Sequence, residues 1–192
     1  FANKNTIFFR KGEADVVEVI RQTRGIIENK SFQQIVLAAT GNPIRVLRAN
    51  ATSITTNHFV SPRGGDHLLG IGIGGSITGK HADLIFTDDI VNTSDRSSHA
   101  EREKTKTVYM ELQNIRNRGG RIINTGTPWH KEDAISLMPN IKRFDCYSTG
   151  LIVPEKLEEL RKSMSPSLFA ANYELRHIAA ENALFDTPPT FT

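Results

Sequence analysis

Leu84-Ile85-Phe86-Thr87-Asp88-Asp89 is the stretch that decides how this chain folds. A continuous apolar and β-branched run suits a strand buried on both faces, as parallel strands of α/β proteins are. Two carboxylates stand at its carboxyl end, where open α/β sheets place their ligand sites. Upstream, residues 68–73 read as a strand running into Gly74-Gly75. Thr6-Ile7-Phe8-Phe9, ending at Arg10, reads as another, followed by a helix whose Val16, Ile20, Thr23 and Ile27 share one face. Short strands are expected over 44–47 and 52–60, before the loop Ser61-Pro62-Arg63-Gly64-Gly65.

Downstream, Ser98 and Glu101 have capping-box spacing, and Val108, Leu112 and Ile115 align on a helix over roughly 98–117 that Gly119-Gly120 ends. A strand over 121–125 and a short helix over 131–137 follow, then a strand over 142–148. Pro154 opens a helix with Leu157, Leu160 and Met164 aligned, Ser165-Pro166 starts another through Leu175, and a tail follows Glu181. Strands alternating with helices predict an α/β fold with a mainly parallel sheet and helices on both faces.

The 192 residues include 24 Lys+Arg and 21 Asp+Glu, a net charge of +3, and 38% of them are hydrophobic, which excludes a disordered chain. So small a basic excess permits an anionic partner without establishing one. The single Cys146 makes no internal disulfide, and no apolar run reaches the roughly 18 residues of a membrane span, so a protein of a reducing compartment is expected. Residue 1 is Phe and a strand begins almost at once, so a piece of a longer polypeptide without a visible signal peptide is also expected.

The paired acids are the sharpest chemical feature. In a nucleotide hydrolase Asp88 would hold Mg²⁺ through its water shell, and Asp89 would orient or deprotonate the attacking water. The bland alternative is that one Asp only caps the next segment. Residues 74–80 satisfy most of G-x-x-x-x-G-K, but His81 stands where Ser or Thr would bind magnesium, and a strand follows instead of a helix. A glycine-rich turn is therefore expected, with Lys80 and His81 either solvated loop side chains or facing an anionic substrate. Asn124-Thr125-Gly126-Thr127 ends the next strand and offers hydroxyl and amide groups beside a γ-phosphate. Arg102, Lys104, Lys106, Arg116, Arg118 and Arg121, interleaved with acids, read as a solvated face or as the source of an arginine acting on a neighbouring subunit. The six His lack metal-ligand spacing.

Residues 78–89, TGKHADLIFTDD, followed by residues 119–133, GGRIINTGTPWHKED, resemble the large terminase subunit of tailed bacteriophages or prophages. The resemblance runs from the Ile7 strand to the region of residues 170–173. It implies a RecA-like ASCE P-loop ATPase that uses Mg²⁺ and ATP to drive double-stranded DNA into a prohead. Its implied partners are a small terminase subunit, a portal protein and further copies of itself, in the cytoplasm of the bacterial host and without a membrane.

By position, Asp88 corresponds to the magnesium-associated acid of the Walker B strand and Asp89 to the catalytic carboxylate, where many relatives carry Glu. Thr125, Gly126 and Thr127 correspond to the coupling motif. Residues 1–150 correspond to a partial ATPase domain, and 151–192 to a helical connection toward a nuclease domain. No Walker A loop precedes the Ile7 strand and no nuclease acids follow Phe185, so the isolated chain is expected to bind ATP weakly and hydrolyse it negligibly. A G-x-x-x-x-G-K-[ST] segment encoded upstream is the expectation that goes with this resemblance.

Two other classes compete. A two-metal nuclease would draw ligands from Asp83, Asp88, Asp89 and Asp95, although strand length separates Asp83 from Asp89. A non-catalytic module would bind DNA or an assembly partner in a salt-sensitive way, indifferent to Asp88 and Asp89.

Overall fold

The computed structural model describes residues 3–61 and 64–176. Pro62 and Arg63 of the loop, the tail after Glu181 and the region after Phe185 lie outside them. The chain divides into two compact units, Phe1–Ile90 with Lys104–Gly126, and Val91–Glu103 with Thr127–Thr192.

The first unit is built on a six-stranded sheet of order β2-β3-β4-β1-β5-β6. Its strands are β1 (Thr6–Arg10), β2 (Val46–Ala49), β3 (Ser53–Thr56), β4 (Leu68–Gly72), β5 (Ala82–Asp88) and β6 (Arg116–Thr125). Strands β4, β1, β5 and β6 run parallel, whereas β2 and β3 pair antiparallel with each other and β3 pairs antiparallel with β4. The sheet is thus mostly parallel, with an antiparallel margin that hydrophobic pattern alone does not reveal.

Helix α1 (Glu13–Glu28) buries Val16, Ile20 and Ile27. They pack with Ile54 against Ile44, Val46 and Leu68, so the face read from the sequence is the one that meets the sheet. Helix α2 (Lys30–Thr40), which the sequence reading passes over, has no buried residue. Its ends are nonetheless coded locally: the Asn29 side chain accepts from Ser31 and Phe32 N–H, and Gly41 closes it at φ 70°.

Strand β5 departs from the expectation of burial on both faces. Ile85 and Thr87 are fully covered, while Leu84 and Phe86 are half-buried, Phe86 stacking on Phe8 with ring centroids 5.8 Å apart. Helix α3 (Thr93–Ser97) is short, and α4 (His99–Ile115) starts at the expected cap, Ser98 Oγ accepting the Glu101 N–H at 3.3 Å. The chain leaves α4 before Gly119-Gly120, because Arg116 already pairs with Ala82 of β5. The glycines form instead the irregularity that shifts the β5–β6 register. Gly120 is required there, since a side-chain carbon on it would stand 2.8 Å from the Asp83 carbonyl oxygen.

In the second unit the expected helix over 131–137 shrinks to a 3-10 turn, Ala134–Leu137, capped by Asp133. The expected strand over 142–148 does not form. Asp145 Oδ1 accepts the Tyr147 and Ser148 N–H groups at 3.0 and 2.7 Å, which bends the chain, and the Cys146 N–H bonds to Tyr173 O. Helices α5 (Pro154–Ser163) and α6 (Pro166–Asn172) form where Pro154 and Ser165-Pro166 place them. Leu157 and Phe169 pack with Cys146 in a small core lined by Leu160 and Met164. Among the described residues, no helix is long and apolar enough to cross a membrane.

Candidate functional site

Parallel pairing in register makes rows of side chains across the sheet. Phe9 lies opposite Thr87, so Arg10 stands one step beyond, level with Asp88, and Asp88 in turn lies opposite Thr125. Alternation puts Ile7 and Phe9 on the fully buried side and leaves Phe8 and Arg10 on the half-buried one. The result is a polar row at the carboxyl ends of three strands. Arg10 Nε and Nη2 both donate to Asp88 Oδ2, at 3.0 and 2.6 Å, and Thr125 Oγ1 donates to Asp88 Oδ1 at 2.6 Å. The hydrogen bond to Asp88 holds the Arg10 proton more firmly than usual. Beneath the row, fully buried Thr87 donates to Asn124 Oδ1 at 2.8 Å, and Asn124 reaches the Tyr109 hydroxyl, tying β5 to β6 through side chains as well as backbone.

Asp89 follows at φ 47°, a left-handed conformation that few residues other than glycine adopt. Its N–H donates to the Thr125 carbonyl at 3.2 Å, which ends the β5–β6 ladder, and its Oδ2 lies 3.7 Å from Arg10 Nη2. Burial, then the neighbouring Asp88 charge, push the Asp89 carboxyl above its ordinary value, against the pull of Arg10. The backbone conformation favours Asp here over the longer Glu, because Asp and Asn are the non-glycine residues that enter this region most readily. Gly126 is next to it at φ 157°, and a side-chain carbon on Gly126 would lie 3.7 Å from Asp89 N. The constraint at Gly126 is thus conformational and not one of space.

The structure therefore brings Asp88, Asp89, Thr125 and Gly126 together, while Thr127 is the first residue of the following segment of the second unit. No group of three or more His, Cys, Asp or Glu able to hold a metal ion occurs among the described residues. That donor set does not suit a protein-only cage. It does fit magnesium, which keeps most of its waters and is commonly held by one or two carboxylates together with substrate phosphates. Asp83 lies at the far end of β5, where it accepts from Asn5 N and Asn117 Nδ2 at 3.1 Å each. Asp95 belongs to the second unit and completes the capping box of α3 from its N3 position, its Oδ2 accepting the N–H of the N-cap Asn92 at 2.9 Å.

Residues 74–80 form a turn between β4 and β5, with no helix after Lys80. Lys80 and His81 line a cavity of about 550 Å³ at the amino ends of β1 and β5, beside Asn5, Asp83 and Asn117. This is the opposite end of the strands from the acid pair, and Asn5, Asp83 and Asn117 bond to one another or to nearby backbone. Among the basic residues, Arg102 is not part of a solvated face. It is 8% exposed and donates to Asp95 O and Arg96 O within the second unit. In that unit Asp133 Oδ2 also gathers the Trp129 and His130 N–H groups at 2.8 and 2.9 Å, so the carboxylate of this acidic helix start is engaged by backbone.

Arg10 is the site residue that sequence reading names only as the end of a strand. The signal was available: a charged residue closing an apolar strand at its carboxyl end, as Asp88 does. What was missing is the strand order that makes β1 the neighbour of β5. Comparison with known proteins adds no identity to this geometry, since no family model matches the chain and no match was found among curated proteins.

Proposed function

We propose that this chain carries the nucleotide-hydrolysing site of a DNA-packaging motor of the large-terminase kind. The observation that supports it is the meeting of Asp88, Asp89 and Thr125 at the carboxyl ends of adjacent parallel strands, with 2.6 Å between Thr125 Oγ1 and Asp88 Oδ1. In this reading Mg²⁺ bound with ATP supplies charge neutralisation at the transferring phosphate. Asp88 is the acid that faces the hydrated cation, oriented by the Thr125 hydroxyl on Oδ1.

Asp89 is the base that orients the attacking water. A carboxyl raised above its ordinary value accepts a proton more readily, which suits that task. Thr125 senses Asp88 through its hydroxyl, and the chain then passes through Gly126 into Thr127 and the second unit. A change at the acids is thereby handed to a segment able to move DNA-gripping surface. Double-stranded DNA, a small terminase subunit, a portal protein and further copies of the chain are the partners of this reading, and the bacterial cytoplasm is its place.

The test is Mg²⁺-dependent ATP hydrolysis by the polypeptide as its gene encodes it, compared with Asp88→Asn and Asp89→Asn. Loss of general-base action lowers kcat about a hundredfold or more. Unchanged hydrolysis in both variants refutes the assignment. Plasmid cleavage with Mn²⁺ that disappears in Asp88→Asn would install the nuclease in its place.

A further inference from the structure

The Asp88 carboxylate is engaged on both oxygens before any ion is considered. Arg10 places two N–H donors on Oδ2, at 3.0 and 2.6 Å, and Thr125 places its hydroxyl on Oδ1. A carboxylate offers about four lone-pair positions, and three are used. The Arg10 and Asp88 side chains are each 27% exposed, so water screens their attraction only in part. Arg10 is also held from behind: β1 is an interior strand between β4 and β5, and Arg10 pairs with Gly72 on the other side. The guanidinium is thus carried to Asp88 by the sheet itself and is not a flexible surface partner. Its reach extends to Asp89, 3.7 Å away, so one cation serves both acids.

A divalent ion approaching Asp88 meets a fixed positive charge already hydrogen-bonded to the oxygen it needs. We propose that Arg10 is a positioning residue that acts as a built-in counter-ion, aiming Asp88 when no divalent cation is present and yielding it when one arrives. The affinity of the site for the cation is then set by competition with the guanidinium. Release of Arg10 leaves its positive charge beside Asp89, where it holds that carboxylate in place while Asp88 turns to the ion. The inference rests on the reading of Asp88 as the acid that faces a divalent cation.

The experiment uses Mn²⁺ alone, titrated into the 192-residue chain and followed by the EPR signal of the free ion. Removing a hydrogen-bonded charge from the carboxylate in Arg10→Gln tightens Mn²⁺ binding about tenfold. Arg10→Lys, which restores charge without the planar fork, falls between the two. Asp88→Asn removes binding in either background. In parallel, Mg²⁺ titrated into the unaltered chain shifts the Arg10 Nε–H resonance, a direct reading of its release.

Equal Mn²⁺ affinity in the unaltered chain and Arg10→Gln, both lost in Asp88→Asn, overturns the competition while the metal-facing role of Asp88 stands. Mn²⁺ binding that is undetectable in every chain, or undiminished by Asp88→Asn, removes that role and the inference with it. Should Arg10→Gln fail to fold by circular dichroism, Arg10→Lys and the Nε–H resonance decide. A resonance unmoved at saturating Mg²⁺ overturns the proposal.

Discussion

At Gly70 the side chains of α1 pack directly on the strand backbone, and Gly70→Ala tests whether that contact sets the first unit's stability. A methyl group at Gly70 would stand 2.3 Å from Val16 Cγ1 and 3.2 Å from Ile20 Cγ1. Unstrained carbon contacts lie near roughly 3.5 Å, so about 1.2 Å of separation must be found, 3.5 less the 2.3 observed. Val16 is fully buried and Ile20 2% exposed, so neither side chain can turn out to solvent. Overpacking of this kind costs about 1–3 kcal/mol. Replacing glycine within a strand returns about 0.5–1 kcal/mol through the entropy of the unfolded chain. Taken at mid-range, about 2 less about 0.75, the net expectation is a loss of about 1.25 kcal/mol, a roughly eightfold fall in the folded-to-unfolded ratio.

Urea unfolding of the two chains, with equal m-values, measures this loss as a lower midpoint. A double-mutant cycle sharpens it. Val16→Ala alone opens a cavity, costing at least about 1.6 kcal/mol for two methyl equivalents, but in the Gly70→Ala background the new methyl occupies part of that space. The pair should therefore cost at least about 1 kcal/mol less than the sum of the singles. An unchanged midpoint for Gly70→Ala, or an additive double variant, would mean that the α1–β4 contact does not constrain the fold as described.

Three further outcomes are expected. Asp89→Asn keeps its urea midpoint within about 0.5 kcal/mol, because Asn accepts the left-handed backbone at φ 47°, whereas β-branched Asp89→Val loses about 1–2 kcal/mol; equal midpoints would contradict the strain argument. Thr87→Val is nearly isosteric but removes the 2.8 Å donor that fully buried Thr87 gives half-buried Asn124 Oδ1, and urea titration should show a loss of about 1 kcal/mol.

His67 is held below its ordinary value by burial, with its ring stacked on Phe59 and its Nδ1 2.7 Å from Thr56 Oγ1. The unfolded chain therefore takes up the proton first. Stability is complete above the unfolded value of about 6.5, and is lost as pH falls from there toward the lower folded value. Stability measured between pH 7 and pH 5 should fall less steeply in His67→Gln, and parallel curves for the two proteins would rule His67 out as a contributor.

How legible the molecule was depends on the range of the interactions concerned. The Ile7 strand, the face of α1, the cap at Ser98 and the helices opened by Pro154 and Ser165-Pro166 were readable because periodicity and capping act within a few residues. Helix α2 had local signals too, Asn29 before it and Gly41 after it, but its apolar residues Ile35 and Leu37 stay 65% and 44% exposed and form no core-facing stripe. The strand expected over 142–148 failed for the opposite reason. Its residues alternate suitably, but the Asp145 side chain takes two backbone N–H groups, and among the described residues no strand pairs with this segment. Gly119-Gly120, expected to stop the helix, does not: α4 ends at Ile115 and the two glycines lie inside β6, where the register with β5 shifts, because pairing with β5 starts at Arg116.

The order of residues by itself determined that an apolar strand ends at two adjacent carboxylates, and that strands and helices alternate around it. These follow from side-chain hydrophobicity and from backbone preferences that extend over a turn or a strand. Only the tertiary structure decided which strands lie beside β5, and so which groups meet Asp88: Arg10 from 78 residues earlier and Thr125 from 37 residues later. Strand order is settled by packing and loop closure summed over the whole unit, and no local spacing records it. That is why the acid pair could be named from the chain alone, while the arginine that holds it emerged only from the folded sheet.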